Sequence, residues 1–188
     1  MLRALYSLIL FVATPAIAVR LLWRGLKQPE YRQHWGERWG ISAIPATKQS
    51  IWIHAVSVGE MRATQPLVKR LRQDFPDHPI VITCMTPTGR ATAAELYGSS
   101  VACRYLPYDF FSLHRRLIAQ LSPKVLLVME TEIWPNLLAA CATDAVPALL
   151  INARMSEKSA RGYGKWALIR HLVQTALGSM HIVAAQTT

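Results

Sequence analysis

Apolar runs of strand length, alternating with helical segments, predict an α/β fold: a Rossmann-like parallel sheet wrapped by helices and preceded by an amino-terminal membrane-anchor helix. Three observations carry this. The runs Ile51–Val56, Ile80–Met85, Val101–Leu106, Lys124–Met129, Ala148–Asn152 and His181–Ala185 are short and largely apolar, as strands buried on both faces are. The stretches between them read as helices. One runs from Gly59 or Glu60 to Asp74 with an early interruption at Pro66, and another from about Thr88 to Tyr97. Phe110–Leu121 follows, with Leu113, Leu117 and Leu121 on one stripe, then Ile133–Thr143 and a long amphipathic helix from about Ser156 to Leu177. Finally, 188 residues suffice for one sizeable domain with an appendage.

The appendage is the amino terminus. Between Arg3 and Arg20 the chain is uncharged and largely apolar, and Leu21-Leu22-Trp23 extends the run. A spanning helix needs about 20 apolar residues, so the run is just long enough if Arg20 snorkels. Pro15 is a place for a kink. Ala16-Ile17-Ala18 resembles a cleavage site for a secretory signal, but Arg20, Arg24, Lys27, Arg32 and Arg38 crowd the carboxyl side. That bias keeps the body of the protein in the cytoplasm, on an uncleaved anchor at residues 1–24. An interfacial helix lying on the membrane is the open alternative. Residues 25–50 read as a basic and aromatic juxtamembrane segment and linker. Their interleaved Trp, Tyr and Arg suit a headgroup boundary or stacking on bases. Residues 51–188 form the Rossmann-like domain.

Composition narrows the partners. The chain is 52% hydrophobic and 17% charged, with a net charge of +10 because acids are scarce. Such a chain attracts nucleic acid, anionic headgroups or a phosphorylated substrate, and charge alone does not choose among them. Cys84, Cys103 and Cys141 are odd in number and set in apolar surroundings, as small core residues in a reducing compartment are. No zinc spacing occurs and the six histidines never cluster in sequence, so no metal is expected.

The strand ends carry the chemistry. Neither G-x-G-x-x-G nor G-x-x-x-x-G-K-[ST] is present, which disfavours ordinary NAD or ATP use. Instead Ser57-Val58-Gly59-Glu60 follows the first strand, Thr86-Pro87-Thr88-Gly89 the second and Pro107-Tyr108-Asp109 the third. Met129-Glu130-Thr131-Glu132-Ile133-Trp134-Pro135-Asn136 and Asn152-Ala153-Arg154 follow later ones. Ser57, Thr86 and Asp109 also read as helix caps, and Gly59 and Gly89 as turn residues. Burying acids is costly unless they are paired, so two glutamates directly after a buried strand point to a site at the sheet's carboxyl edge.

These segments, with Trp35-Gly36-Glu37-Arg38, resemble the Kdo transferases, which add 3-deoxy-D-manno-octulosonic acid (Kdo) to the lipid A precursor of bacterial lipopolysaccharide. The resemblance runs from the anchor to Ala184-Ala185-Gln186. It implies the amino-terminal, acceptor-binding half of a two-domain GT-B glycosyltransferase, inverting, with CMP-Kdo as donor and no cofactor, on the cytoplasmic side of a bacterial inner membrane. The sequence ends at Thr188, so CMP-Kdo would be bound through a second domain that is not part of it. By the same resemblance Glu60 is the base and Glu130 a second acid that stabilises the transition state. Ser57, Gly59, Thr86, Thr88, Gly89, Glu132 and Arg154 are candidates for holding the acceptor. Physically, a carboxylate in the first turn of a helix is expected to stay ionised. Glu132 is expected to organise the start of the helix after it, and Glu37, the rival base, to order the junction between anchor and domain. The implied partner is a phosphorylated glycolipid and a membrane, not nucleic acid. A membrane-tethered module that binds the lipid A precursor without catalysis is the other reading.

Overall fold

β-branched and leucine side chains pack well on a pleated surface, and runs of them set the framework. The computed structural model describes residues 1–42, 47–130, 132–153 and 167–185. Among these, β1 (Ser50–His54), β2 (Ile80–Cys84), β3 (Ala102–Tyr105), β4 (Pro123–Met129), β5 (Ala148–Ala153) and β6 (Ile182–Ala185) form one sheet. All neighbouring pairs are parallel, in the order β3-β2-β1-β4-β5-β6. The expected α/β fold is therefore present, with each strand within two residues of its expected bounds.

That order matters for the site. The chain builds outward from β1 to β3, then returns to set β4 against the free side of β1. The direction of winding reverses between β1 and β4, and the crevice at their carboxyl ends is where such sheets bind ligands. The two strands end level, with His54 opposite Val128.

Alternate residues of the strands feed two cores. Ile51, Ile53, Ile80 and Ile82 pack with Met61, Val68 and Ala93, under α3 (Val58–Ala63), α4 (Gln65–Asp74) and α5 (Pro87–Tyr97). Trp52, Val81, Leu126 and Val128 pack on the other face with Leu117, Leu121, Leu137, Leu138 and Ala176, under α6 (Phe111–Leu121), α7 (Pro135–Thr143) and α8 (Ala167–Gly178). The single helix expected up to Asp74 is two, parted at Thr64 just before Pro66, whose ring removes a donor. The helix expected from Ile133 starts at Pro135, a residue suited to a first turn. Cys84, Cys103 and Cys141 are free thiols.

α1 (Leu2–Lys27) continues past Pro15 and ends three residues beyond Arg24. It is long and apolar enough to cross a membrane. Leu8, Ile9, Phe11, Val12, Val19, Leu22, Trp23 and Leu26 are exposed on it. The helix is fastened to the domain at both ends. Near its start, the Tyr6 hydroxyl donates to Asp109 Oδ2 at 2.9 Å, Ser7 bonds to Asn136, and Arg3 lies over the Phe111 ring. Near its end, Leu21 and Gly25 are buried. A side chain at Gly25 would meet Arg32 Cγ at 2.4 Å, so glycine allows the close turn into residues 29–32. The segment after the helix is also part of the domain. It holds α2 (Trp35–Arg38), and its aromatic rings pack within the protein: Trp39 on Tyr108, and Tyr31 against Arg24.

Asp109 is the node of this assembly. Its carboxylate is 2% exposed and accepts four bonds, from Tyr6, from His114 Nε2, and from the backbone N–H groups of Asn136 and Leu137. Expected to cap the helix that follows it in sequence, Asp109 instead caps α7, whose first-turn donors have no side chain of their own to bond. Removing an acceptor shared by four buried donors costs about 3–5 kcal/mol. Asp109→Ala is therefore expected to lower the unfolding free energy by that amount, read by chemical denaturation in detergent, with Asp109→Asn intermediate.

Candidate active site

Both glutamates expected at the site flank the reversal crevice. After β1 the chain turns through Ala55 and Val56 into α3, and Ser57 caps that helix by accepting from the Glu60 N–H at 3.2 Å. The Glu60 carboxylate reaches back to accept from the Val56 N–H at 2.8 Å. This is a capping box drawn one residue further back, and it fixes the side chain at the mouth of the crevice. Glu60 is 7% exposed. Burial is the strongest influence on its carboxyl and pushes its pKa up. Bonds from Val56 and Ser57 oppose the rise, the Glu130 charge adds to it, and the net shift is upward from 4.5. Burial thus pulls against the helix terminus, which was the only influence on this carboxyl that the sequence suggested.

Glu130 directly follows β4, held by its N–H bond to Ile151 O. Its φ is +56°, a left-handed conformation that costs a side-chain-bearing residue about 1–2 kcal/mol. Such strain persists where surroundings impose it, and it is concentrated at functional sites. Asn152, at the end of β5, has the same φ of +56°. Glu132 accepts from Trp134 Nε1 at 2.9 Å. Its carboxyl is raised too, by burial first, with the Trp134 bond opposing and the Glu60 and Glu130 charges adding. Since Asp109 caps α7, Glu132 is free of the helix-start role expected of it and stands with the other two acids. Both Glu60 and Glu132 feel the Glu130 charge across the β1/β4 crevice.

The other candidates divide. Gly59 has no positive φ, and a Cβ built on it finds only Ser57 Oγ at 3.9 Å, so the space above it is open. At Gly89 a Cβ would lie 2.9 Å from Thr86 Oγ1 and 3.2 Å from the Val56 carbonyl, so glycine there lets α5 pack against the β1 turn. Thr86 caps α5 by accepting from Gly89 N–H, and it donates to Val56 O at 3.1 Å, so its hydroxyl is engaged. Thr88 is exposed beside it. Arg154 lies outside the described residues. Glu37 is turned away from the crevice. It accepts two bonds from Arg90 and one from the Tyr105 N–H. Burial pushes its carboxyl up, but these bonds and the Arg90 and Arg104 charges win and hold it below its ordinary value. It ties the segment after the anchor to β3, the junction role expected of it.

Beneath the crevice lie groups that were not among the expected site residues. His54 closes β1, fully buried, with Nδ1 on Thr83 and Trp134 edge-on at 5.8 Å. Burial pushes its pKa down to about 3, so it is neutral. His54 Nε2, His114 Nδ1 and two nitrogens of Arg38 are buried without a partner among the described residues. A histidine closing the otherwise apolar run Ile51-Trp52-Ile53 was a visible signal. The packing of Arg38 and Asp109 was not, because their partners are far away in sequence. No group of three or more His, Cys, Asp and Glu able to hold a metal occurs among the described residues.

A doubly wound parallel sheet with acids on both sides of its reversal point defines a ligand-binding α/β protein. A family model described as 3-Deoxy-D-manno-octulosonic-acid transferase (kdotransferase) matches residues 33–188, and the chain belongs to that family. It is 41% identical over 187 residues to the 3-deoxy-D-manno-octulosonic acid transferase of Haemophilus influenzae, covering 98% of this chain and 43% of that protein. The enzyme of the same name from Bordetella pertussis is 40% identical, covering 80% of this chain and 35% of that protein. A probable mitochondrial 3-deoxy-D-manno-octulosonic acid transferase of Arabidopsis thaliana is 30% identical, covering 98% and 41%. The chain thus spans less than half the length of these relatives.

The electrostatics of the crevice are directly measurable. A carboxyl raised by burial and by a neighbouring anion titrates above 4.5, and loses part of that rise when the neighbour is neutral. In carbon-detected NMR titration the Glu60 carboxyl is expected to have its midpoint above 4.5, and Glu130→Gln is expected to move it down.

Proposed function

We propose that this chain is the acceptor half of an inverting glycosyltransferase that moves Kdo from CMP-Kdo to the lipid A precursor in lipopolysaccharide biosynthesis. The observation that carries this reading is the placement of Glu60 and Glu130 on opposite sides of the β1/β4 crevice, in a chain of the Kdo transferase family. Inverting transfer needs one base to take the acceptor hydroxyl's proton as the new bond forms, while CMP leaves as an anion and needs no matching acid. Glu60 is that base. A carboxylate raised by burial is a stronger base once ionised, and its bond from Val56 N–H aims it. Glu130 favours the positive charge that develops on the donor sugar ring. Glu132, oriented by Trp134, helps hold the acceptor, with Ser57, Gly59, Thr86, Thr88, Gly89 and Arg154 around it. The donor and its cytidylate bind to the part of the protein that lies beyond this chain's share of its relatives.

The acceptor is a lipid, and α1 fits that role by lying in the inner-membrane interface rather than across it. Tyr6 and Leu21 touch the same domain, and 15 residues of helix separate them by about 22 Å. A helix crossing the bilayer would draw that flank of the polar domain into hydrocarbon, which is prohibitively costly. An in-plane helix with its exposed apolar strip in the acyl boundary avoids this. The basic residues at its carboxyl end favour the anionic cytoplasmic leaflet.

The test is Kdo transfer from CMP-Kdo to the lipid A precursor in detergent, by this chain joined to the remaining part of the Haemophilus influenzae relative. Transfer is expected, and Glu60→Gln is expected to lower it by about 10²–10⁴-fold while preserving the Val56 bond through its amide oxygen. Precursor binding without transfer in the joined protein would instead make the chain a non-catalytic lipid-binding module. Gly59→Ala separates fold from site. It enters open space in a helix, so stability is expected to hold or to rise by about 0.5–1 kcal/mol, whereas KM for the precursor is expected to rise.

A further inference from the structure

We propose that a slot between α1 and the sheet's carboxyl edge binds the phosphate monoester of a membrane lipid, gripped by Arg20, Arg24 and Arg38. The slot encloses about 350 Å³, with Tyr31, Thr86 and Tyr108 completing its walls.

Arg38 supplies the central argument. It is 2% exposed, and its one hydrogen bond runs from Nη1 to Met85 O at 3.0 Å. Its guanidinium lies on the Tyr105 ring, 3.6 Å from the centroid, while Nε and Nη2 have no partner among the described residues. A buried cation of this kind is costly without a counter-charge. The acid next to it in sequence does not provide one, because Glu37 is bonded to Arg90 and to the Tyr105 N–H. Arg20 and Arg24 reach the same slot from α1, and among the described residues neither is paired with a carboxylate; Arg24 bonds only the Tyr31 hydroxyl, at 3.2 Å. Three guanidinium groups facing one cavity without an acid match a doubly charged phosphate, which accepts the planar fork of arginine in two bonds at once.

The source of the phosphate follows from the walls. One wall is α1 itself, which lines the slot with the apolar side chains of Ile17 and Leu21 beside its two arginines. Acyl chains attached to a phosphate held there start against those two apolar side chains. The slot also adjoins the candidate active site. Thr86 donates to Val56 O, and the Val56 N–H donates to Glu60. The slot opens at the ends of β2 and β3, one to two strand spacings, or about 5–10 Å, from the β1/β4 crevice. A sugar bearing a phosphate at one position and a reactive hydroxyl at another bridges that interval. The link to an acceptor rests on the function proposed above; the phosphate site itself does not.

The experiment titrates the full chain in dodecyl maltoside micelles, at fixed salt, with dihexanoyl phosphatidic acid, dihexanoyl phosphatidylcholine or inorganic phosphate, read by calorimetry. The phosphatidic acid is expected to bind more tightly than either control. Each arginine facing an anionic lipid is worth about 1 kcal/mol, so the double variant Arg20→Gln/Arg24→Gln is expected to weaken it about thirtyfold. Both residues are exposed, and circular dichroism checks that the double variant keeps its fold. Undiminished binding by a folded double variant would overturn the site, and inorganic phosphate binding as tightly as the lipid would overturn the lipid assignment. Glu60→Gln is expected to leave this binding unchanged. Failure of Kdo transfer would therefore strike the catalytic reading alone, and loss of arginine dependence this one alone.

Discussion

One buried carboxylate holds the geometry together. Asp109 ends the connection after β3, yet its four bonds go to α1, to α6 and to the first turn of α7. A carboxylate only accepts, so His114 must present Nε2–H to it, and each bond is charge-assisted in a site that water does not reach. The start of α7 is thereby fixed, and with it Trp134, whose indole N–H holds the Glu132 carboxylate. The same atoms fix the amino-terminal end of the anchor helix. The apolar helix α1 and the start of α7 are mechanically one unit.

The crevice combines capping contacts that stabilise the fold with features that cost stability. Ser57 and Glu60 satisfy orphan donors at the start of α3, as any capping pair does. The cap also leaves the Glu60 carboxylate half-desolvated beside Glu130 and Glu132, where a glutamate is hard to ionise. Glu130 adds a backbone conformation that glycine would adopt without cost. On the function proposed above, the structural duty of Glu60 in the cap and its duty as a base fall to the same side chain.

The sheet was legible because burial on both faces makes parallel strands read as unbroken apolar runs; β1 and β2 are buried throughout. Glu130 and Glu132 stood out because acids next to such runs need a reason to be there, and Glu60 through the resemblance of Ser57-Val58-Gly59-Glu60. What escaped the sequence is what depends on distant pairing. Asp109 sits two residues before α6 and looks like its cap, but its donors lie 27 and 28 residues on and 103 residues back. Arg38 belongs to a stretch that reads as a membrane-facing linker, and only the fold shows it buried under Tyr105. The helix-end argument missed the upward pull on Glu60 for a related reason: dipole effects are local and readable, whereas desolvation is a property of everything packed around the group.

The two-ended attachment of α1 has a consequence for orientation. A domain hung from one flexible tether tumbles above a bilayer and presents every side in turn. A helix pinned at Tyr6 and again at Leu21 can neither swing nor roll. With α1 lying in the interface as proposed above, its apolar strip sets the tilt and the height of the whole sheet, and the carboxyl edge is held at a constant standoff from the lipid surface. A ligand confined to that surface then meets the edge by lateral diffusion in two dimensions, and the concentration that governs encounter is its mole fraction in the leaflet, not its molarity in solution.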